Sequence, residues 1–192
     1  MTQRCSFVVL TTVLLLAGVG SSAFAEGSYV GAKKCRPCHL KQYTTWETTN
    51  MAQSFELLKP GVRGAEKKAA GLDPSADYTT DAKCLACHTT GYTKPGGFKS
   101  LASTPDLAGV QCESCHGPGS AYLTPDKMSL KNREYKRADL IAAGLVIPEA
   151  GTCTSACHNE KSPFAKPGEA FDFQKRKAEG THEHLVLTFT HG

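Results

Sequence analysis

Four short segments of this chain share one pattern, two cysteines followed at once by a histidine. They are Cys35-Arg-Pro-Cys38-His39, Cys84-Leu-Ala-Cys87-His88, Cys112-Glu-Ser-Cys115-His116 and Cys153-Thr-Ser-Ala-Cys157-His158. Three have the two-residue gap of a c-type haem attachment site, and the fourth has three residues in the gap. The chemistry explains the spacing. Two thiols add to the two vinyl groups on one edge of a porphyrin. The loop between them turns the next side chain under the macrocycle, where an imidazole binds iron from the proximal face.

Paired cysteines also serve zinc, iron–sulfur clusters and disulfides. None of those requires a histidine after every pair, and four of the seven histidines in the chain stand at that position. The reading is therefore four haem c groups, held covalently by the eight cysteines, with His39, His88, His116 and His158 as proximal iron ligands. At the fourth site the wider loop leaves two modes open, attachment by both thioethers through a bulged loop or by one only.

The first 25 residues read as a secretory signal peptide. Arg4 gives a positive start, residues 7–18 are nearly all apolar, and Ala23-Phe24-Ala25 supplies the small residues of a cleavage site. The apolar run is short for a membrane span, which needs about 20 residues. Cys5 leaves with the signal. Residues 26–192 then form one tetrahaem domain in the periplasm.

That mature chain has 167 residues (192 less 25), or about 42 for each of four haems, so the porphyrins must pack close to one another. Large apolar side chains are sparse, and stretches such as residues 59–83 are rich in Lys, Ala, Gly and Asp. Porphyrin supplies buried apolar surface that the side chains do not. Removing Arg4 leaves 21 Lys and Arg against 18 Asp and Glu, a net charge of +3. Haem propionates would offset this excess, so the basic balance points to no nucleic-acid partner.

Apolar spacing at Tyr43, Trp46, Met51, Phe55 and Leu58 predicts a helix over 33–58, stopped by Pro60-Gly61. A short helix is expected over 67–70, a loop over 91–107, a tight turn at Gly117-Pro118-Gly119 and a helix over 135–145. A linker follows over 163–167, and 171–187 is expected to be a helix or a helix plus a short strand. The fold class is mostly α, a loop-rich multihaem cytochrome organised around four closely packed c-type haems. Close packing of redox centres makes a conductor, so electron transfer is the expected function.

Each iron can take a second axial ligand. After the proximal residues only His182, His184 and His191 remain, and three histidines cannot serve four irons. At least one haem must take Met, Lys or no protein ligand.

The chain resembles the tetrahaem cytochrome c-554 family of ammonia-oxidising bacteria. The resemblance rests on Lys33-Lys34-Cys35 with Cys38-His39, the Trp46 segment running to Leu58-Lys59-Pro60, and Leu72-Asp73-Pro74 with Asp77-Tyr78-Thr79. It continues through Gly109-Val110, Cys112 to Gly119 and His182-Glu183-His184. It implies a predominantly helical protein with three haems bearing two histidines each and an open position on the second. It also implies a hydroxylamine-oxidoreductase-like electron donor with a downstream acceptor. Two family histidines are replaced: the distal one on the first helix falls at Met51, and the one after the third site falls near Lys127 and Met128. Met51 and Met128 are thus candidate distal ligands, which would raise haem potentials. At the motif that keeps histidine, one of His184 and His182 is expected to be a distal ligand, with His184 favoured. The alternative function implied is reduction of nitric oxide or another small nitrogen species at the open haem.

Overall fold

Helix forms in this chain only in short pieces, because almost every piece ends at a haem motif or a glycine. The computed structural model describes residues 27–132, 134–165 and 168–185. Its α-helices are α1 (Leu40–Trp46), α2 (Gly64–Ala69), α3 (Ala82–His88), α4 (Cys112–His116), α5 (Arg137–Ala142), α6 (Ala150–Ala156) and α7 (Phe173–Gly180). Four 3-10 turns join them, at Ala32–Lys34, Ser54–Leu58, Pro105–Leu107 and Gly119–Ala121. Two isolated antiparallel bridges, Thr89 with Ala108 and Ser129 with Asn132, are the β-type pairing found among the described residues. The expected mostly helical, loop-rich class holds. The signal peptide and His191 lie outside the described residues.

The helix expected over 33–58 is broken into three parts. His39 takes φ −117° and ψ 43°, a non-helical geometry that starts α1 afresh after the first cysteine pair. At the end of α1 and beyond it the threonine hydroxyls bond to the backbone. Thr45 Oγ1 donates to Lys41 O at 3.0 Å, Thr48 Oγ1 donates to Thr45 O at 3.0 Å, and Thr49 Oγ1 accepts from the Ala52 N–H at 3.2 Å. The apolar spacing was real, but Phe55 and Leu58 reach the core from a 3-10 turn. Likewise 135–145 is helical only over α5. Gly144, at φ +97°, donates to Ile141 O, and Leu145 donates to Leu140 O, closing the helix in a left-handed cap that glycine alone adopts cheaply. The C-terminal helix is likewise confined to Phe173–Gly180 within the expected 171–187.

The side-chain core is one small cluster, Phe55, Leu58, Leu85, Phe98 and Leu107, with Tyr78, Cys84, Tyr92 and Ala108 packed against it. It lies beside α3, so it positions the second haem motif. Asp81 caps α3 by accepting the Lys83 N–H at 2.8 Å. Replacing Asp81 with alanine should cost about 1 kcal/mol and lower the thermal midpoint by roughly 2–4 °C. An unchanged melting curve would show that this cap is redundant.

Thr90 is fully buried and ties the cluster to α4. Its hydroxyl donates to Gly109 O at 2.8 Å and accepts the Gln111 N–H at 3.0 Å. The N-terminal segment crosses the same region: Ser28 N–H donates to Ser120 Oγ at 2.7 Å and Ala32 N–H to Gln111 Oε1 at 2.8 Å. At the other end, Glu183 N–H donates to Thr45 Oγ1 at 2.9 Å and brings the residues after α7 onto α1.

Candidate functional site

The four motifs reach the same local geometry by different routes. In the first, the His39 N–H donates to Cys35 O at 3.0 Å across a four-residue turn. The second and third are helical from the first cysteine to the histidine, in α3 and α4. In the fourth, the His158 N–H donates to Cys153 O at 3.0 Å, now across five residues. The additional residue is absorbed as one wider turn, of the π type, and the bond from histidine amide to first-cysteine carbonyl is kept. The fourth site thereby keeps the histidine-to-first-cysteine bond of the first.

Among the described residues the eight cysteines of the motifs form no disulfide. They meet across motifs. Cys35 and Cys112 share a hydrogen bond that pushes the Cys35 thiol up and the Cys112 thiol down. Burial pushes Cys157 up to about 12, with Cys87 the next cause, and the Cys87 thiol points at Ala156 O at 3.8 Å. Burial pushes Cys115 up to about 11, with Cys153 the next cause. These electrostatic neighbours order the motifs as second, fourth, third, first. Cys38, at the end of that series, is exposed.

The donor set fits haem on an independent count. An axial histidine is oriented by what its other ring nitrogen holds. His88 Nδ1–H donates to Ser54 O at 2.7 Å and His116 Nδ1–H to Val146 O at 3.3 Å, which leaves Nε2 of each ring as the free lone pair. Burial is the main cause that holds His39, His88, His116 and His158 below the usual histidine range, in the neutral form that binds metal. His158 packs its ring against Phe171, with centroids 4.6 Å apart.

The distal candidates separate. The His182 ring lies 6.2 Å from that of His116, at an interplanar angle of 28°, and it also acts on His39. Its Nδ1–H donates to Glu183 O at 2.9 Å, so Nε2 is free. His184 instead turns Nε2 to Thr181 Oγ1 at 3.0 Å and Lys177 O at 3.3 Å. Met51 is half-buried, and its methyl end lies near Gly180 at the end of α7. Met128 is half-buried too, its N–H donating to Tyr122 O at 3.2 Å, while Lys127 pairs with Asp126 at 3.1 Å on a cleft of about 420 Å³. Sequence reasoning gave no role to Ser54 or Val146, since a backbone carbonyl leaves no mark in the residue letters.

The family model for cytochrome c554 and c-prime matches residues 34–117, which span the first three motifs. Cytochrome c-554 of Nitrosomonas europaea is 33% identical to this chain over 205 aligned positions, covering 95% of this chain and 86% of that protein. The solved structure of the reduced state of cytochrome c554 from the same organism superposes with a TM-score of 0.70 at 35% identity, over 85% of this chain and 89% of that one. The fourth motif lies beyond the family model but inside the length shared with the relative.

Proposed function

Given that the chain belongs to the cytochrome c-554 family and is a c-type cytochrome that carries electrons on four haems, we propose that it shuttles electrons between redox proteins in the periplasm. The leader-like residues 1–25 support export, with residues 26–192 as the working domain. Among the described residues no helix is long and apolar enough to cross a membrane. The observation that carries the reading is the set of four Cys–His motifs, with the His88 and His116 rings turned by backbone carbonyls on Nδ1 so that Nε2 is free.

Cys35 and Cys38, Cys84 and Cys87, Cys112 and Cys115, and Cys153 and Cys157 hold the four groups. His39, His88, His116 and His158 bind iron on the proximal side, with Ser54 O and Val146 O fixing the rings of two of them. Met51, Met128 and the His182/His184 pair would supply distal ligands. The free Nε2 of His182 and its position beside His116 favour it over His184. Haem supplies reversible one-electron exchange at iron. The protein sets spacing, ligation and surroundings, and exposed Cys38 would bring the edge of one haem to the surface. A hydroxylamine-oxidoreductase-like protein is the proposed donor, and a second redox protein accepts downstream. The named relatives favour carriage over nitric oxide reduction.

The purified holoprotein is expected to contain four haems and take up four electrons, all returned to a single acceptor of higher potential. Preparation in a haem-attaching host without visible haem absorbance would overturn the reading. Met ligation has its own test. The oxidised spectrum is expected to show a far-red sulfur-to-iron charge-transfer band that weakens or disappears in Met51→Ala. High-spin features with no sulfur band would remove Met51 from the ligand set.

A further inference from the structure

Glu113 is a buried acid in no ion pair among the described residues, and it lies inside the third motif. Its side chain is 1% exposed. Oε1 accepts the Gly119 N–H at 2.6 Å and the Val30 N–H at 3.0 Å. Oε2 accepts the Gly31 N–H at 2.7 Å and shares the Val30 N–H at 3.0 Å. Both oxygens act only as acceptors, the pattern of an ionised carboxylate. Among the described residues none of the ion pairs includes it. It lies between the first and third motifs, because Val30 and Gly31 lead into Cys35 and its own neighbour is Cys112, which touches Cys35.

A charge of opposite sign is buried at the other end of the series. Lys67 is 4% exposed. Its ammonium donates to Lys59 O at 2.7 Å and sits over the Tyr78 ring at 5.4 Å. Tyr78 and Cys84 pack on the same apolar cluster, so this cation belongs to the second motif. Asp77, which feels it, is exposed and held by Thr79, and no carboxylate reaches Lys67 within ion-pair distance among the described residues.

We propose that these two buried charges bias the array: the Glu113 carboxylate lowers the potential of the haems at the first and third sites, and the Lys67 ammonium raises that of the haem at the second. Reduction makes a haem one unit more negative. A buried anion opposes that change and a buried cation favours it, and in a low-dielectric interior salt screens neither well. Electrons entering near exposed Cys38 would then collect at the second site. This rests on covalent haem at the motifs and adds a direction to the carrier reading.

A role as backbone clamp alone would also bury Glu113, so the test must separate charge from packing. Spectroscopic redox titration of the tetrahaem holoprotein does so. In Glu113→Gln, at least one of the four couples is expected to rise tenfold or more in its reduction equilibrium, which is 59 mV for one electron. In Glu113→Asp the charge stays, so the couples should remain near those of the parent even though both variants lose thermal stability. In Lys67→Met one couple should fall by a similar factor. Unmoved couples in Glu113→Gln, or equal movement in the Asp variant, would reduce Glu113 to a clamp and overturn the proposal. If the Gln variant does not accumulate, Lys67→Met decides, and an unmoved couple there ends the idea of a bias. Failure of the haem reading would be seen earlier, as a parent protein lacking four haems.

Discussion

Gly109→Ala is expected to lower the thermal midpoint of the holoprotein by roughly 10 °C and to disturb two haem sites at once. Gly109 has φ +85°, a region that costs other residues about 1–2 kcal/mol. A Cβ there would run into Ala52 O, so backbone must move, adding roughly 1–3 kcal/mol. The segment that must give way carries Met51, whose carbonyl accepts the Val110 N–H at 2.9 Å, and Ser54, whose carbonyl orients His88. Gly109 itself donates to His88 O at 3.0 Å. Differential scanning calorimetry with the far-red spectrum of the same samples checks both parts. A variant with parental stability and spectrum would mean that residues 51–54 adapt freely and do not hold the second site.

Phe98→Ala is expected to cost about 3–5 kcal/mol, read as a shift of the denaturant midpoint at unchanged slope. Phe98 is 2% exposed and packs on Phe55 with ring centroids 5.6 Å apart. Its N–H also donates to Thr90 O at 2.9 Å, so the ring anchors the hub between α3 and α4. A loss of that size would be a large share of the ~5–15 kcal/mol typical of a domain. Cys84 and Tyr78 pack on the same cluster, so the second haem site should loosen first. A loss under about 1 kcal/mol would mean that this cluster contributes little and that stability resides with the haems.

What could be read from the residue letters was the chemistry that needs fixed spacing. The four Cys–His motifs, the count of haems and the scarcity of histidines all follow from positions along the chain. Even the three-residue gap of the fourth motif was visible, though not the five-residue turn from Cys153 O to His158 N–H that absorbs it. Helix boundaries were less legible, because apolar spacing at Trp46, Phe55 and Leu58 reports which side chains face inward and not whether the backbone between them is continuous. Thr48 and Thr49, just past α1, broke it by bonding to nearby backbone. The buried charges were out of reach for another reason. Glu113 reads as an ordinary polar residue inside a motif, and the amides that hold it belong to Val30, Gly31 and Gly119. Lys67 sits in a run of charged residues that looks solvated, and only the fold turns it inward.

The contacts of residues 28–32 also set an order of events. Val30 and Glu113 are 83 residues apart, and Ser28 and Ser120 are 92 apart. Closing loops of that length comes late, after local structure has formed. A chain delivered amino end first presents Cys35 and Cys38 long before residues 111–120 have arrived. Their thiols stay within reach of an attaching enzyme throughout that interval. Once residue 120 has followed, the amides of Val30 and Gly31 find Glu113, and the earliest motif to appear is joined to the third.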